Sequence, residues 1–95
     1  MSPRPRAWRR IRFRPEATMF KPIGIPARAL ETVILSLEEM EAIRLTQYQE
    51  LTQQEAALQM QTSQSTVQRL LSQANKKIAK ALIEGKAIII QKEGR

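Results

Sequence analysis

The strongest constraint in this chain is the spacing of its apolar residues between positions 64 and 82. Val67, Leu70, Leu71, Ala74, Ile78, Ala81 and Leu82 recur chiefly at steps of three and four. That period lays them along one stripe of an α-helix and fits no strand. It predicts a helix over residues 64–82, roughly 28 Å long at 1.5 Å per residue. The opposite face carries Ser65, Arg69, Ser72, Lys76 and Lys80, with Gln68 and Gln73 beside them. No acid falls on that face before Glu84.

Two further helices are announced by their starts. Ser36 with Glu39, and Thr52 with Glu55, fit the capping box, in which each side chain serves the other residue's orphan backbone N–H. The first opens a helix over residues 37–48, with Leu37, Met40, Ile43 and Tyr48 spaced for one apolar face and Ala42 and Leu45 widening it. Val33-Ile34-Leu35 reads as its apolar approach. The second opens a short helix over 53–60 that turns Ala56, Ala57 and Met60 inward. Gln61-Thr62-Ser63 breaks the pattern, and Ser63 is placed to cap the long helix. Gly85 suits the left-handed residue that ends it. Residues 86–91 then read as a strand. Its run Ala87-Ile88-Ile89-Ile90 requires cover on both faces, hence a partner: the segment 8–13 or a second subunit.

Helices 53–60 and 64–82, joined by three residues, have the arrangement of a helix-turn-helix. Small Ala57 permits close crossing, and Met60, Val67 and Leu70 supply the shared core. One feature counts against the motif: Gln61 stands where such turns commonly carry glycine, and a non-glycine residue there would have to adopt a positive φ, which is uncommon. The fold expected is mainly α, a three-helix helix-turn-helix domain over 30–95, with a basic proline-rich arm over 1–29 and a short C-terminal strand.

Composition narrows the chemistry. The chain has 95 residues, a size for one domain, and no cysteine, histidine or aspartate. Disulfides, thiolate or imidazole metal sites and serine–histidine–aspartate catalysis are thereby removed, and no enzyme, cofactor or metal is expected. No apolar run approaches a membrane span, and the expected location is the cytoplasm. Net charge is +7, distributed as +7 over residues 1–29, −5 over 30–62 and +5 over 63–95. Two positive blocks around a negative one suit a polyanion binder whose acidic side turns away.

The expected partner is double-stranded DNA, bound sequence-specifically for transcriptional control. The residues expected at base edges are Gln64, Ser65, Thr66, Gln68 and Arg69, because glutamine can fork onto adenine and arginine onto guanine. Thr52, Ser63, Ser72, Gln73, Lys76 and Lys77 are expected at phosphates, which position without specifying. Arg4, Arg6, Arg9 and Arg10 give the arm a narrow, cationic form suited to a minor groove or to general phosphate attraction. Two other readings stay open: a protein-interaction module of the transcription machinery, and RNA binding through the arginine-rich arm. A homodimer through Ala87–Ile90 is a further expectation. Glu38, Glu39, Glu41 and Glu50 suit a helix start and a face directed away from DNA better than a metal site.

With these residues in place the chain resembles the UPF0251-type family, small bacterial and archaeal proteins predicted to bind DNA. Its helix-turn-helix is similar to region 4 of bacterial sigma factors. The stretches that carry the resemblance are Pro3-Arg4-Pro5-Arg6 with Trp8-Arg9-Arg10, Phe20-Lys21-Pro22 with Gly24, and Glu41-Ala42-Ile43-Arg44-Leu45. They continue with Leu51-Thr52-Gln53-Gln54-Glu55-Ala56-Ala57, Ser65-Thr66-Val67-Gln68-Arg69, Lys76-Lys77-Ile78-Ala79, Ala81-Leu82 and Gly85-Lys86-Ala87-Ile88. The resemblance implies DNA binding and no particular target. Relatives often carry cysteines after the Trp-Arg-Arg element, where this chain has Ile11-Arg12-Phe13-Arg14, so a thiol-based role is not expected. Some relatives continue into a cofactor-assembly domain, which is not expected here. Thr62 stands where an apolar turn residue is usual.

Overall fold

Two strands of a small sheet precede the three helices in the chain and the third follows them, so the sheet joins residues far apart in sequence. The computed structural model describes residues 18–91. Strand β1 (Met19–Phe20) is followed by a short 3-10 turn (Ala27–Ala29) and strand β2 (Thr32–Leu35). Helix α1 (Leu37–Ile43) runs into a π-helical turn (Arg44–Tyr48). Helices α2 (Gln53–Met60) and α3 (Gln64–Glu84) come next, and strand β3 (Ala87–Ile90) completes the described fold. The mainly α, three-helix expectation therefore holds, with a three-stranded sheet beside it.

Strand order is β1-β3-β2. β3 pairs parallel with β2, from Thr32 opposite Ala87 to Leu35 opposite Ile90, and antiparallel with β1, with Met19 opposite Ile89 and Phe20 opposite Ile88. A parallel pair needs a long crossover, and α1, α2 and α3 together supply it. This answers the apolar run at the C-terminal end: β3 is the central strand, and Ala87 and Ile90 are buried. The places beside β3 belong to Thr32–Leu35 and Met19–Phe20. The partners expected from sequence were the segment 8–13, which lies outside the described residues, or a second subunit. Val33-Ile34-Leu35 is likewise a strand and not a mere lead-in to α1. Because β3 is paired on both sides, a second copy extending this sheet would meet the outer edge of β1 or β2.

Both capping boxes are present. Ser36 Oγ accepts from Glu39 N–H at 3.0 Å, and Glu39 Oε1 accepts from Ser36 N–H at 2.9 Å. Thr52 and Glu55 repeat the exchange at 3.0 and 2.9 Å. The first helix, however, is not regular to its end. Gln49 N–H reaches back five residues to the Arg44 carbonyl at 2.9 Å. This wider turn slows the rotation of successive side chains. Leu45 then points into the core, while Tyr48, expected inside, is 82% exposed.

The core joins Ala42 and Leu45 to Ala56, Ala57, Met60, Val67, Leu70 and Leu71, with Ile43 and Leu51 against it. α3 packs on α1, α2 and β2 at once. Its apolar stripe is buried from Val67 to Ala74 and again at Ala81, with Ile78 half-buried between them, but Leu82 is 73% exposed. Gly85 ends α3 at φ 73° as expected, and Lys86 N–H closes the turn on the Ala81 carbonyl at 2.9 Å. The strand entry is clasped by Lys86, which hydrogen-bonds Glu31. That bond, with the attraction between the two charges, holds the Glu31 carboxyl below its ordinary pKa and Lys86 above its own.

Gln61 does adopt the left-handed conformation, at φ 58°. Thr62 N–H bonds the Ala57 carbonyl at 3.0 Å and Gln61 N–H the Leu58 carbonyl at 3.2 Å, the pairing of a Schellman turn. An L-residue in this region costs roughly 1–2 kcal/mol, and glycine avoids most of it at some expense in unfolded-chain entropy. Gln61→Gly is therefore expected to stabilise the domain by about 1 kcal/mol, raising the thermal midpoint by about 4–8 °C. A melt followed by circular dichroism checks it; an unchanged or lower midpoint would show that the Gln61 side chain compensates.

Candidate nucleic-acid interface

The surface of interest is built by the α2–turn–α3 unit. Thr52 starts α2, the left-handed Gln61 stops it, and Ser63 restarts the chain as α3. Ser63 Oγ accepts from Thr66 N–H at 3.1 Å. The same oxygen lies 3.1 Å from Ser65 Oγ and 2.9 Å from Thr66 Oγ1, so three hydroxyls form one small network at the start of the long helix. Val67, Leu70, Leu71 and Ala74 are buried beneath it. They fix the rotation of α3, and with it which side chains face outward.

Of the residues expected at base edges, Gln64, Ser65, Gln68 and Arg69 are exposed, and Thr66 is half-buried. Of those expected at phosphates, Thr52, Ser63, Ser72, Gln73 and Lys76 are exposed. The structure brings these ten residues onto α3 and the two turns that lead into α2 and α3. Arg4, Arg6, Arg9 and Arg10 lie outside the described residues.

Lys77 requires a correction. Its ammonium donates to the Ile34 carbonyl at 2.7 Å and to Glu39 Oε1 and Oε2 at 2.9 and 3.0 Å. Those acceptors occupy its donors, so Lys77 ties α3 to β2 and α1 and is not available to a phosphate. Glu38 and Glu39 lie in the first turn of α1 as expected, and both are buried together with Glu41. Glu39 accepts from both Ser36 and Lys77, and Glu41 holds Arg44 by two hydrogen bonds of 2.9 and 2.8 Å. The bond to Glu41 holds the Arg44 guanidinium above its already high pKa. Lys77 and Glu39 lie 38 residues apart, and nothing in local sequence pairs them.

The remaining cations sort themselves by partner. Lys80 pairs with Glu84 at 3.4 Å, and Lys86 with Glu31 and, at 3.5 Å, with Glu84. From α3 onward, among the described residues, Arg69 and Lys76 carry no ion pair. They stand on the outward face together with Ser65 and Ser72. Among the described residues no group of three acids, histidines or cysteines is placed to hold a metal ion. No helix among them is long and apolar enough to cross a membrane.

A family model described as "Protein of unknown function DUF134" matches residues 1–95. The chain belongs to the DUF134 family. Among its relatives are UPF0251 proteins, in keeping with the resemblance drawn from the motifs. The UPF0251 protein of Halothermothrix orenii is 54% identical over 85 residues, covering 90% of this chain and 63% of the relative. UPF0251 protein TTE1845 of Caldanaerobacter subterraneus subsp. tengcongensis is 49% identical over 89 residues, covering 94% and 75%. The UPF0251 protein of Moorella thermoacetica is 46% identical over 89 residues, covering 94% and 60%. The DUF134 chain thus spans between 60% and 75% of the length of these relatives. No solved structure matches it.

Proposed function

We propose that this chain binds duplex DNA by laying the N-terminal half of α3 in the major groove, and that the binding serves transcriptional control. One observation carries the reading. The outward face of α3 from Ser65 to Lys76 holds hydroxyls, amides and two unpaired cations, and no acid. A helix fits a groove about 12 Å wide, and such a face meets both base edges and phosphates there. The burial of Glu38, Glu39 and Glu41 supports it further, since three negative charges are withdrawn from the surface and neutralised in part by Lys77 and Arg44. On this reading the protein works in the cytoplasm beside the chromosome and performs no catalysis.

The test is a titration of fluorescent duplexes over a series of salt concentrations. Wild type is expected to bind, with affinity falling as salt rises. Lys76→Ala is expected to weaken binding on every sequence alike. It should also lower the slope of log affinity against log salt by about one unit, the change that follows when one phosphate fewer is neutralised. Absence of duplex binding at low salt would overturn the reading. Binding to RNA or to polymerase subunits in its place would select one of the two rivals.

A further inference from the structure

The sequence alone puts five residues at the base edges with equal claim. The hydrogen-bond network separates them. Ser65 and Thr66 are both bonded to Ser63, whose oxygen also takes the Thr66 backbone N–H. Three hydroxyls carry three protons and spend two of them on one another, so at most one remains for a base. Thr66 is also half-buried. Gln64, Gln68 and Arg69 have no such ties, and each is exposed.

Arg69 has the clearest surroundings of the three. Its neighbours one turn away along the helix are Ser65 and Thr66 on one side and Ser72 and Gln73 on the other. None is acidic, and among the described residues no carboxylate reaches it. Its guanidinium is the planar fork that matches guanine O6 and N7, and among the described residues it makes no ion pair. Gln64 and Gln68 lie one turn apart, about 6 Å along the helix, or somewhat under two base steps of about 3.4 Å. Each is able to present an amide to the N6 and N7 of adenine.

Resting on the duplex-binding reading above, we infer that Arg69 is the residue that sets sequence preference, by taking a guanine. Gln68 takes an adenine within one or two base pairs of it, and Ser63, Ser65 and Thr66 position the helix start. The preferred site is then a short guanine- and adenine-containing core, not an A·T-only tract.

Selection of binding sites from random duplexes, with wild type, Arg69→Lys and Gln68→Ala, tests this. Arg69→Lys keeps the charge and loses the fork. It is expected to leave the salt slope and the affinity for random duplex unchanged. At one position it should lower the preference for guanine, by less than the about five- to 150-fold that a whole bidentate pair is worth, because a lysine still donates to guanine without the planar fork. Gln68→Ala is expected to relax a neighbouring adenine. Because both side chains are exposed and untied, unchanged melting of both variants is part of the expectation. Two results overturn the inference while leaving duplex binding intact: a selected site without guanine, or guanine preference retained in Arg69→Lys. Failure of wild type to bind any duplex removes both.

Discussion

Replacing Arg4, Arg6, Arg9, Arg10, Arg12 and Arg14 with glutamine in the full chain is expected to take about five units off the salt slope of duplex binding, against about one for Lys76→Ala. The expectation follows from where the cations of the folded part are spent. Helix α3 carries Arg69, Lys76, Lys77 and Lys80 against Glu84, a net charge of +3, which reads as a basic helix. In the structure Lys77 is given to Glu39, Lys80 to Glu84 and Lys86 to Glu31. Among the described residues that leaves Arg69 and Lys76 without an ion pair on α3, and two cations release few counterions. Each phosphate neutralised contributes about 0.9 to the slope, so six arginines are worth about five. Affinity at physiological salt should fall by several orders of magnitude on specific and random duplex alike. The guanine preference, which belongs to α3, should survive at low salt. Titration over a salt series reads both quantities. A slope lowered by one unit or less would mean that these arginines do not lie on the DNA.

Local chemistry made much of this fold legible, and long-range pairing hid the rest. Ser36 with Glu39, Thr52 with Glu55, Ser63, Gln61 and Gly85 are signals that act within a few residues, and each does in the structure what its position implies. The stripe from Val67 to Ala81 is equally local, because one helix period generates it. The sheet was not legible in the same way. β1 has two residues and β2 four, too few to show an alternation, and their partner lies more than 50 residues further along the chain. The π-helical turn that rotates Tyr48 outward leaves no mark in apolar spacing. On the interface, exposure of Gln64, Ser65, Gln68 and Arg69 followed from the stripe beneath them. The commitment of Lys77 did not, because a lysine on the flank of a helix looks alike whether its partner is water, phosphate or a buried carboxylate.

That lysine leads to the largest change in stability expected from one substitution. Glu39 is 3% exposed and accepts from the Ser36 backbone N–H and from the Lys77 ammonium. Glu39→Ala removes the return half of a capping box, which costs up to about 1 kcal/mol. It also leaves Lys77 with only the Ile34 carbonyl. Breaking a fully buried ion pair from one side costs roughly 3–5 kcal/mol. Lys77 keeps 37% of its side chain in contact with solvent, which discounts that figure by half or more. A total of about 1–3 kcal/mol is expected for Glu39→Ala. Lys77→Met should cost at least as much, because it leaves the buried Glu39 carboxylate with only the Ser36 N–H, whereas the lysine stranded by Glu39→Ala still reaches solvent. The double variant should then be less destabilised than the sum of the two, by a coupling of about 0.5–3 kcal/mol. Denaturant melts of the four proteins measure that cycle. The same Lys77→Met protein separates structural from interfacial lysines: its salt slope on duplex should match wild type while its stability falls, the reverse of Lys76→Ala. A lowered slope with unchanged stability would return Lys77 to the phosphates and undo the sorting of cations on which the interface rests.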